Sequence, residues 1–310
     1  LKNYHIYTLY TLIAVLFGMV LYLMNSAGPT PQTFERLGKA QVGEARFTPR
    51  VKIFDLPDEL DFAGETVPLG DRDIIERLER ELYVNAYWES NMLLMMKRSG
   101  KFFPEIEKIL AKHRIPEDFK YLALIESGLM NVASPAGARG FWQFLEGTAK
   151  DYGLEVSKEV DERYHYEKAT EAACKYLQKA YARFGNWTSV AASYNIGQAG
   201  LSRRMNDQHQ PDYYQLLLNE ETSRYMFRIL AFKEIFENPG KYGFELTRDD
   251  MYELPELQAL VIKSTVKDLA EWSIKHGSNY KELKNYNPWL RQDELNVKRG
   301  KEYIVQLPVK

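Results

Sequence analysis

Apolar residues are spread unevenly along the 310-residue chain, and their spacing divides it. Ile6 to Met24 is apolar or uncharged throughout, and no Asp, Glu, Lys or Arg stands between Lys2 and Glu35. A run of about 20 such residues is long enough to span a bilayer and exceeds the usual apolar region of a signal peptide. Residues 1–25 therefore read as a membrane anchor with its N-terminus inside. Small residues at Ser26-Ala27-Gly28 leave a cleaved signal peptide as the alternative. Residues 26–70 read as a linker: Pro29, Pro31, Pro49, Pro57 and Pro68 break any long helix, and the alternation at Val51-Lys52-Ile53-Phe54 suits a brief strand.

From Asp71 the spacing becomes helical. Ile74, Ile75, Leu78, Leu82 and Val84 to Trp88 mark a first helix. Pro104 to His113 reads as a second, with proline near its first turn, and Pro116 opens a third that runs to Glu126. Further helices are expected over Phe141 to Tyr152, Glu167 to Phe184, Trp187 to Asn195 and Glu221 to Phe236. No strand series alternates with them, so residues 71–245 read as one all-helical domain. Near Leu254 the pattern changes. A strand is expected over Leu257 to Ile262, helices over Val266 to His276 and Tyr280 to Tyr286, and a strand over Glu302 to Leu307. Residues 254–310 thus form a small α+β module of βααβ order.

Composition narrows the function classes modestly. A net charge of -2 gives no basic face for nucleic acid. The single cysteine, Cys174, excludes an intrachain disulfide and argues against a cysteine zinc site; its helical surroundings suit a small core residue. No P-loop, dinucleotide fingerprint or zinc motif is present, so no cofactor or metal is expected. The 21 Tyr and 5 Trp offer flat faces suited to sugar rings, although such residues also fill ordinary cores.

Three segments hold candidate chemistry. In Phe119-Lys120-Tyr121-Leu122-Ala123-Leu124-Ile125-Glu126-Ser127, the carboxylate of Glu126 follows Leu122 at i+4 and Phe119 at i+7. It lies on an apolar stripe near the helix end. A carboxyl desolvated there would hold a proton near neutrality, as a general acid must. A solvated terminal glutamate fits the same spacing. The second segment, Ser134 to Phe144, combines Pro135, Gly137 and Gly140 in a turn that lets backbone approach a ligand, with Trp142 offering a stacking face and Gln143 hydrogen bonds. The third places the hydroxyl of Tyr194 and the amide of Asn195 at a helix end before Gly197, where capping and packing are the ordinary roles.

Taken in order, Glu126-Ser127, Gly137-Ala138-Arg139-Gly140-Phe141-Trp142-Gln143-Phe144, Tyr194-Asn195-Ile196-Gly197 and Thr222-Ser223-Arg224-Tyr225 resemble the family 1 lytic transglycosylases of bacterial cell walls, the membrane-bound D type above all. The likeness runs over roughly residues 80–235. It implies a mainly α chain with a lysozyme-like helical catalytic domain. It implies Glu126 as the catalytic acid and Ser127, Ser134, Gln143, Tyr194, Asn195 and Tyr225 as substrate-side residues, with Tyr194 hydrogen-bonding the acid. Ser134 stands eight residues after Glu126, where nine is common, and Ser193 and Ile196 replace the usual alanines around Tyr194-Asn195.

The C-terminal module resembles a LysM domain, through Leu269-Ala270, Tyr280-Lys281-Glu282-Leu283, Tyr286-Asn287-Pro288 and the closing Gly300 to Pro308; Lys263-Ser264-Thr265 stands where Gly-Asp-Thr is usual.

The resemblance implies cleavage of the β-1,4 bond between N-acetylmuramic acid and N-acetylglucosamine in peptidoglycan, with a 1,6-anhydro product and Glu126 as acid and then base. It places the enzyme in the cell envelope, periplasmic and held to the membrane. The alternatives are a lysozyme-like hydrolase of the same bond, which a second carboxylate across the cleft would favour, and a non-catalytic wall-binding protein. Asp118, Asp151 and Asp161 do not match a second catalytic acid in the family motifs.

Overall fold

The computed structural model describes residues 52–309; the apolar segment expected to anchor the chain and most of the linker lie outside them. Among the described residues no helix is long and apolar enough to cross a membrane.

The chain is mainly helical. A two-residue hairpin, β1 (Asp61–Phe62) with β2 (Glu65–Thr66), turns through Ala63 and Gly64, both at positive φ as a tight hairpin requires. Helices α1 (Arg72–Ala86), α2 (Glu89–Lys112) and α3 (Phe119–Ser127) follow. After a long loop come α4 (Glu146–Asp151), α5 (Tyr166–Phe184), α6 (Trp187–Ile196), α7 (Gln198–Asp207) and α8 (Glu220–Glu237).

Helix α8 packs against α1, α3 and α6. Its buried set, including Tyr225, Met226, Phe227, Ile229, Leu230, Phe232 and Ile235, covers nearly every side. A helix apolar all round belongs in a core. Lys233 on α8 is buried with it and is neutralised by the Asp118 carboxylate at 2.8 Å; Asp118 also accepts the Ala63 N–H at 2.7 Å. Asp118 thus joins hairpin, α3 and α8, and is spent on structure.

Three helices of this part differ from the sequence expectation. α2 runs straight through Pro104 instead of starting there. A mid-helix proline costs about 3 kcal/mol, but Met92, Met95, Met96 and Phe103 before it and Ile106 and Leu110 after it form one buried face. Each such side chain contributes about 1.5–3 kcal/mol, so the continuous face wins. The helix expected over Phe141 to Tyr152 shrinks to α4. Gly140 and Gln143 both adopt positive φ, and Arg139 bridges to Phe144, so the first half of that stretch is a looped turn. Helix α7 was not visible in the pattern, because Leu201 is its one fully buried position.

The C-terminal module has β3 (Leu257–Ile262), α9 (Leu269–Lys275), α10 (Tyr280–Tyr286) and β4 (Tyr303–Pro308), with the strands antiparallel and Leu257 opposite Pro308. Asp268 and Asn279 cap the two helices through their side chains. Asn287 then ties α10 to β4, donating to the Gln306 carbonyl at 2.7 Å and accepting the Gln306 N–H at 2.8 Å. Val266, expected to be helical, instead bridges Leu295.

This module is docked on the helical part. Its core of Ile262, Leu269, Leu283, Trp289, Leu290, Leu295, Tyr303, Val305 and Leu307 also takes in Val160 and Tyr164. Backbone bonds from Asp161 N to Trp289 O and from Arg291 N to Glu159 O cross the junction.

Candidate active site

Glu126 sits in the last turn of α3. The helix is buried on most sides by Phe119, Tyr121, Leu122, Ala123 and Leu124. It stops at Gly128, which takes the left-handed conformation and donates its N–H to the Leu124 carbonyl. Arg98 of α2 donates to the Gly128 carbonyl. Ser127 donates its hydroxyl to the Ala123 and Phe141 carbonyls at 3.2 and 3.0 Å. The end of α3 is therefore pinned from three directions.

The Glu126 residue keeps some exposure at its edge, yet its carboxyl is enclosed. Burial dominates and pushes its pKa up to about 7. Opposing this, Tyr225 of α8 donates its hydroxyl to Oε1 at 2.5 Å, and the Arg228 guanidinium favours the ionised form; Glu221 adds a like charge that disfavours it. Burial also holds the Tyr225 and Tyr194 hydroxyls far above their usual pKa, so both remain donors.

Tyr194 behaves differently from the expectation. Its hydroxyl donates to the Trp142 carbonyl at 2.7 Å, and the tyrosine seated on the acid is Tyr225. Tyr194 still faces Glu126 electrostatically. The cause lies in Trp142: its indole is fully buried and donates to Thr170 Oγ1 at 2.9 Å, which fixes its carbonyl towards α6. Trp142 therefore presents no stacking face.

Gln143, Tyr194 and Asn195 line a pocket of about 300 Å³ together with Leu145, Tyr176 and Ile196. Ile196, in place of a smaller residue, takes up part of that wall. Gln143 bends back at φ 46° and donates to the Gly140 and Val132 carbonyls at 2.7 and 3.3 Å. Asn195 accepts from Thr222 Oγ1 at 2.8 Å and donates to Glu221 at 3.1 Å, linking α6 to α8. Ser134 spends its hydroxyl on the Ala138 N–H inside its own turn, at 3.0 Å. Glu126, Tyr225, Tyr194, Asn195 and Gln143 are thus gathered in one region, while Ser127 and Ser134 serve the loop's architecture.

The other acids named from the sequence are engaged elsewhere. Asp161 is buried and paired with Arg163, whose Nη2 lies 2.8 Å from Oδ2; Asp118 holds Lys233; Asp151 is exposed at the end of α4. Sequence reading missed Glu221, Arg228 and Glu81, because each lies on a helix face with no distinguishing motif. Among the described residues no cluster of three or more His, Cys, Asp or Glu side chains could hold a metal.

A buried carboxyl with a raised pKa, a phenol on one oxygen and an adjoining pocket fit an acid–base enzyme. Comparison with known proteins supplies the class. Residues 104–217 match the transglycosylase SLT domain, and residues 258–310 match the soluble lytic transglycosylase C-terminal LysM-like domain. The chain is a lytic transglycosylase carrying both domains. It is homologous to membrane-bound lytic murein transglycosylase D of Escherichia coli K12, with 26% identity over 309 residues, 94% of this chain and 67% of that protein. The counterpart from an O6:H1 strain matches equally. The crystal structure of the 70 kDa soluble lytic transglycosylase of Escherichia coli aligns with a TM-score of 0.39 and 22% identity, over 45% of this chain and 24% of that one.

Proposed function

We propose that this enzyme cleaves murein glycan strands between N-acetylmuramic acid and N-acetylglucosamine, and that Glu126 serves as acid and then base. The observation that carries the reading is the enclosed Glu126 carboxyl with its pKa near 7 and the Tyr225 hydroxyl on Oε1.

Protonated Glu126 donates to the glycosidic oxygen as the bond from muramic C1 breaks. The substrate's own acetamido group stabilises the oxocarbenium-like centre, as in substrate-assisted glycosidases. Ionised Glu126 then takes the proton of the C6 hydroxyl, whose oxygen bonds to C1. The product is the 1,6-anhydro sugar and Glu126 regains its proton, so no water is consumed. Tyr225 stabilises the ionised interval by hydrogen-bonding the carboxylate. Gln143 and Asn195, on the wall of the 300 Å³ pocket, are the polar groups offered to the sugar. In the full enzyme the expected setting is the periplasmic side of the envelope, with the N-terminal apolar segment as anchor and the LysM-like module beside the catalytic domain.

Hydrolysis of the same bond is the competing reading. It has one observation in its favour: Glu221, exposed and tied to Asn195, acts on Glu126 through its charge and could activate water. Mass spectrometry of murein digested to completion separates the two. Anhydromuramoyl ends are expected; reducing muramic ends overturn the transglycosylase reading.

Two further outcomes follow from the acid's environment. The rate at low substrate falls as pH rises through about 7, because the donor form of Glu126 is lost there. Tyr225→Phe removes a bond that favours the ionised carboxylate. The alkaline limb of its pH profile moves upward, and the maximal rate drops about tenfold through the less stabilised carboxylate.

A further inference from the structure

Glu81 of α1 is a carboxylate buried to 1% exposure, beside α8. Its Oε1 accepts from Arg224 Nε at 2.6 Å and from Arg80 Nη1 at 3.3 Å. Its Oε2 is buried with no hydrogen-bond partner among the described residues. Arg228 faces that oxygen with its Nε 3.9 Å away, beyond hydrogen-bonding reach. A buried carboxylate oxygen without a donor is costly and calls for an explanation.

Arg228 lies three residues after Tyr225, so the two are neighbours on the surface of α8. Tyr225 donates to Glu126, and the charge of Arg228 also acts on Glu126. The charge of one guanidinium therefore acts on two carboxylates, the catalytic one and Glu81. Among the described residues, the charged and titratable groups acting on Glu126 are Tyr225, Arg228 and Glu221 from α8 and Tyr194 from α6. Those on Glu81 are Arg80 of its own helix and Arg224 and Arg228 of α8.

We propose that Glu81 is a positioning residue that restrains Arg228 and thereby keeps the proton on resting Glu126. The inference rests on the reading of Glu126 as the acid. With Glu81 ionised, the field of Arg228 is shared, and Glu126 retains its proton for donation. Once Glu126 has given up that proton, Arg228 turns its spare donors to the new carboxylate. The same pair of carboxylates thus serves the resting acid and its ionised state in turn.

The test is the pH dependence of kcat/KM for full-length variants on isolated murein, since this quantity reports the free enzyme's acid. Glu81→Gln keeps the shape and the acceptor for Arg224 while removing the charge. Its alkaline limb is expected to move down by about one pH unit, with activity largely retained on the acid side. Arg228→Gln is expected to move the limb up by about the same amount. The double variant returns it towards the wild-type position, and Glu81→Asp restores most of the wild-type profile. A purely structural Glu81 would lower the rate at every pH and leave the limb in place, and that result overturns the proposal. Should Glu81→Gln fail to fold, Arg228→Gln alone decides, because Arg228 is partly exposed and its change leaves the core intact. An unmoved limb there is equally fatal. Failure of the underlying reading is recognised separately, by an active Glu126→Gln enzyme.

Discussion

Replacing Glu126 with Gln is expected to slow murein cleavage by at least about a thousandfold, since both proton transfers pass through this one carboxyl. The amide keeps the size and can still accept from Tyr225, so the fold is retained. Release of soluble fragments from isolated sacculi measures the loss. A variant as active as wild type would falsify the assignment. The same substitution has a stability signature of definite sign. The folded carboxyl holds its proton up to about pH 7, against a reference value of 4.5 in the unfolded chain. Between these two pH values the folded state binds more protons, so the wild type loses stability as pH rises and stays penalised above 7. Glu126→Gln carries no such penalty. Its melting temperature should exceed that of the wild type at pH 8 and match it near pH 4. Equal melting temperatures at both pH values would mean that the carboxyl is not desolvated. A residue that costs stability to keep is better explained by chemistry than by packing.

Gly140→Ala is expected to destabilise the protein by at least about 3 kcal/mol and to remove most activity. Gly140 has φ 76°, which L side chains rarely adopt, and an added Cβ would lie 1.8 Å from the Arg163 carbonyl oxygen. That obstacle is backbone, so no rotamer change relieves it. The segment behind it is also rigid. Arg163 is buried, pairs with Asp161 and donates to the Gly137 and Phe144 carbonyls at 3.1 and 3.3 Å. Any shift of Gly140 moves Gln143, which donates to its carbonyl, and Val132, which accepts its N–H. Thermal unfolding should show a drop of about 6–12 °C for a chain of this size. Activity should fall at every pH, unlike the limb shifts expected at Glu81 and Arg228. An unchanged melting temperature would mean that the loop yields freely.

Much of the helical order was readable in advance because apolar periodicity is a local property. Asp71, Asn186 and Asn219 cap α1, α6 and α8 through their side chains, close to where the spacing places those helix starts. The βααβ order near the C-terminus was readable for the same reason, and Tyr280–Tyr286 has the bounds expected before Asn287-Pro288. The failures were also local. A proline looked like a helix start because the burial that carries α2 through it comes from other helices. Phe141 to Leu145 looked helical because sequence spacing does not register the positive φ of Gln143 or the bond that buries Trp142 against Thr170.

For the site, residue identities were more legible than roles. Glu126 on an apolar stripe left two readings open, desolvated acid or solvated terminus, because one helix cannot show what lies across from it. α8, some hundred residues later, brings Tyr225 and Arg228 to that carboxyl. Tyr194 and Tyr225 were both candidates, and which one reaches the acid depends on where Trp142 points its carbonyl. Ser134 and Ser127 carry the family pattern, yet their hydroxyls bond within the loop and to its backbone. Chain order and spacing were enough to specify most of the helices, the carboxyl and its motif. The proton affinity of that carboxyl depends on contacts between residues far apart in sequence, as does the choice of tyrosine. So does the seating of the C-terminal module on Val160 and Tyr164, since desolvation and charge act through space and leave no periodicity along the chain.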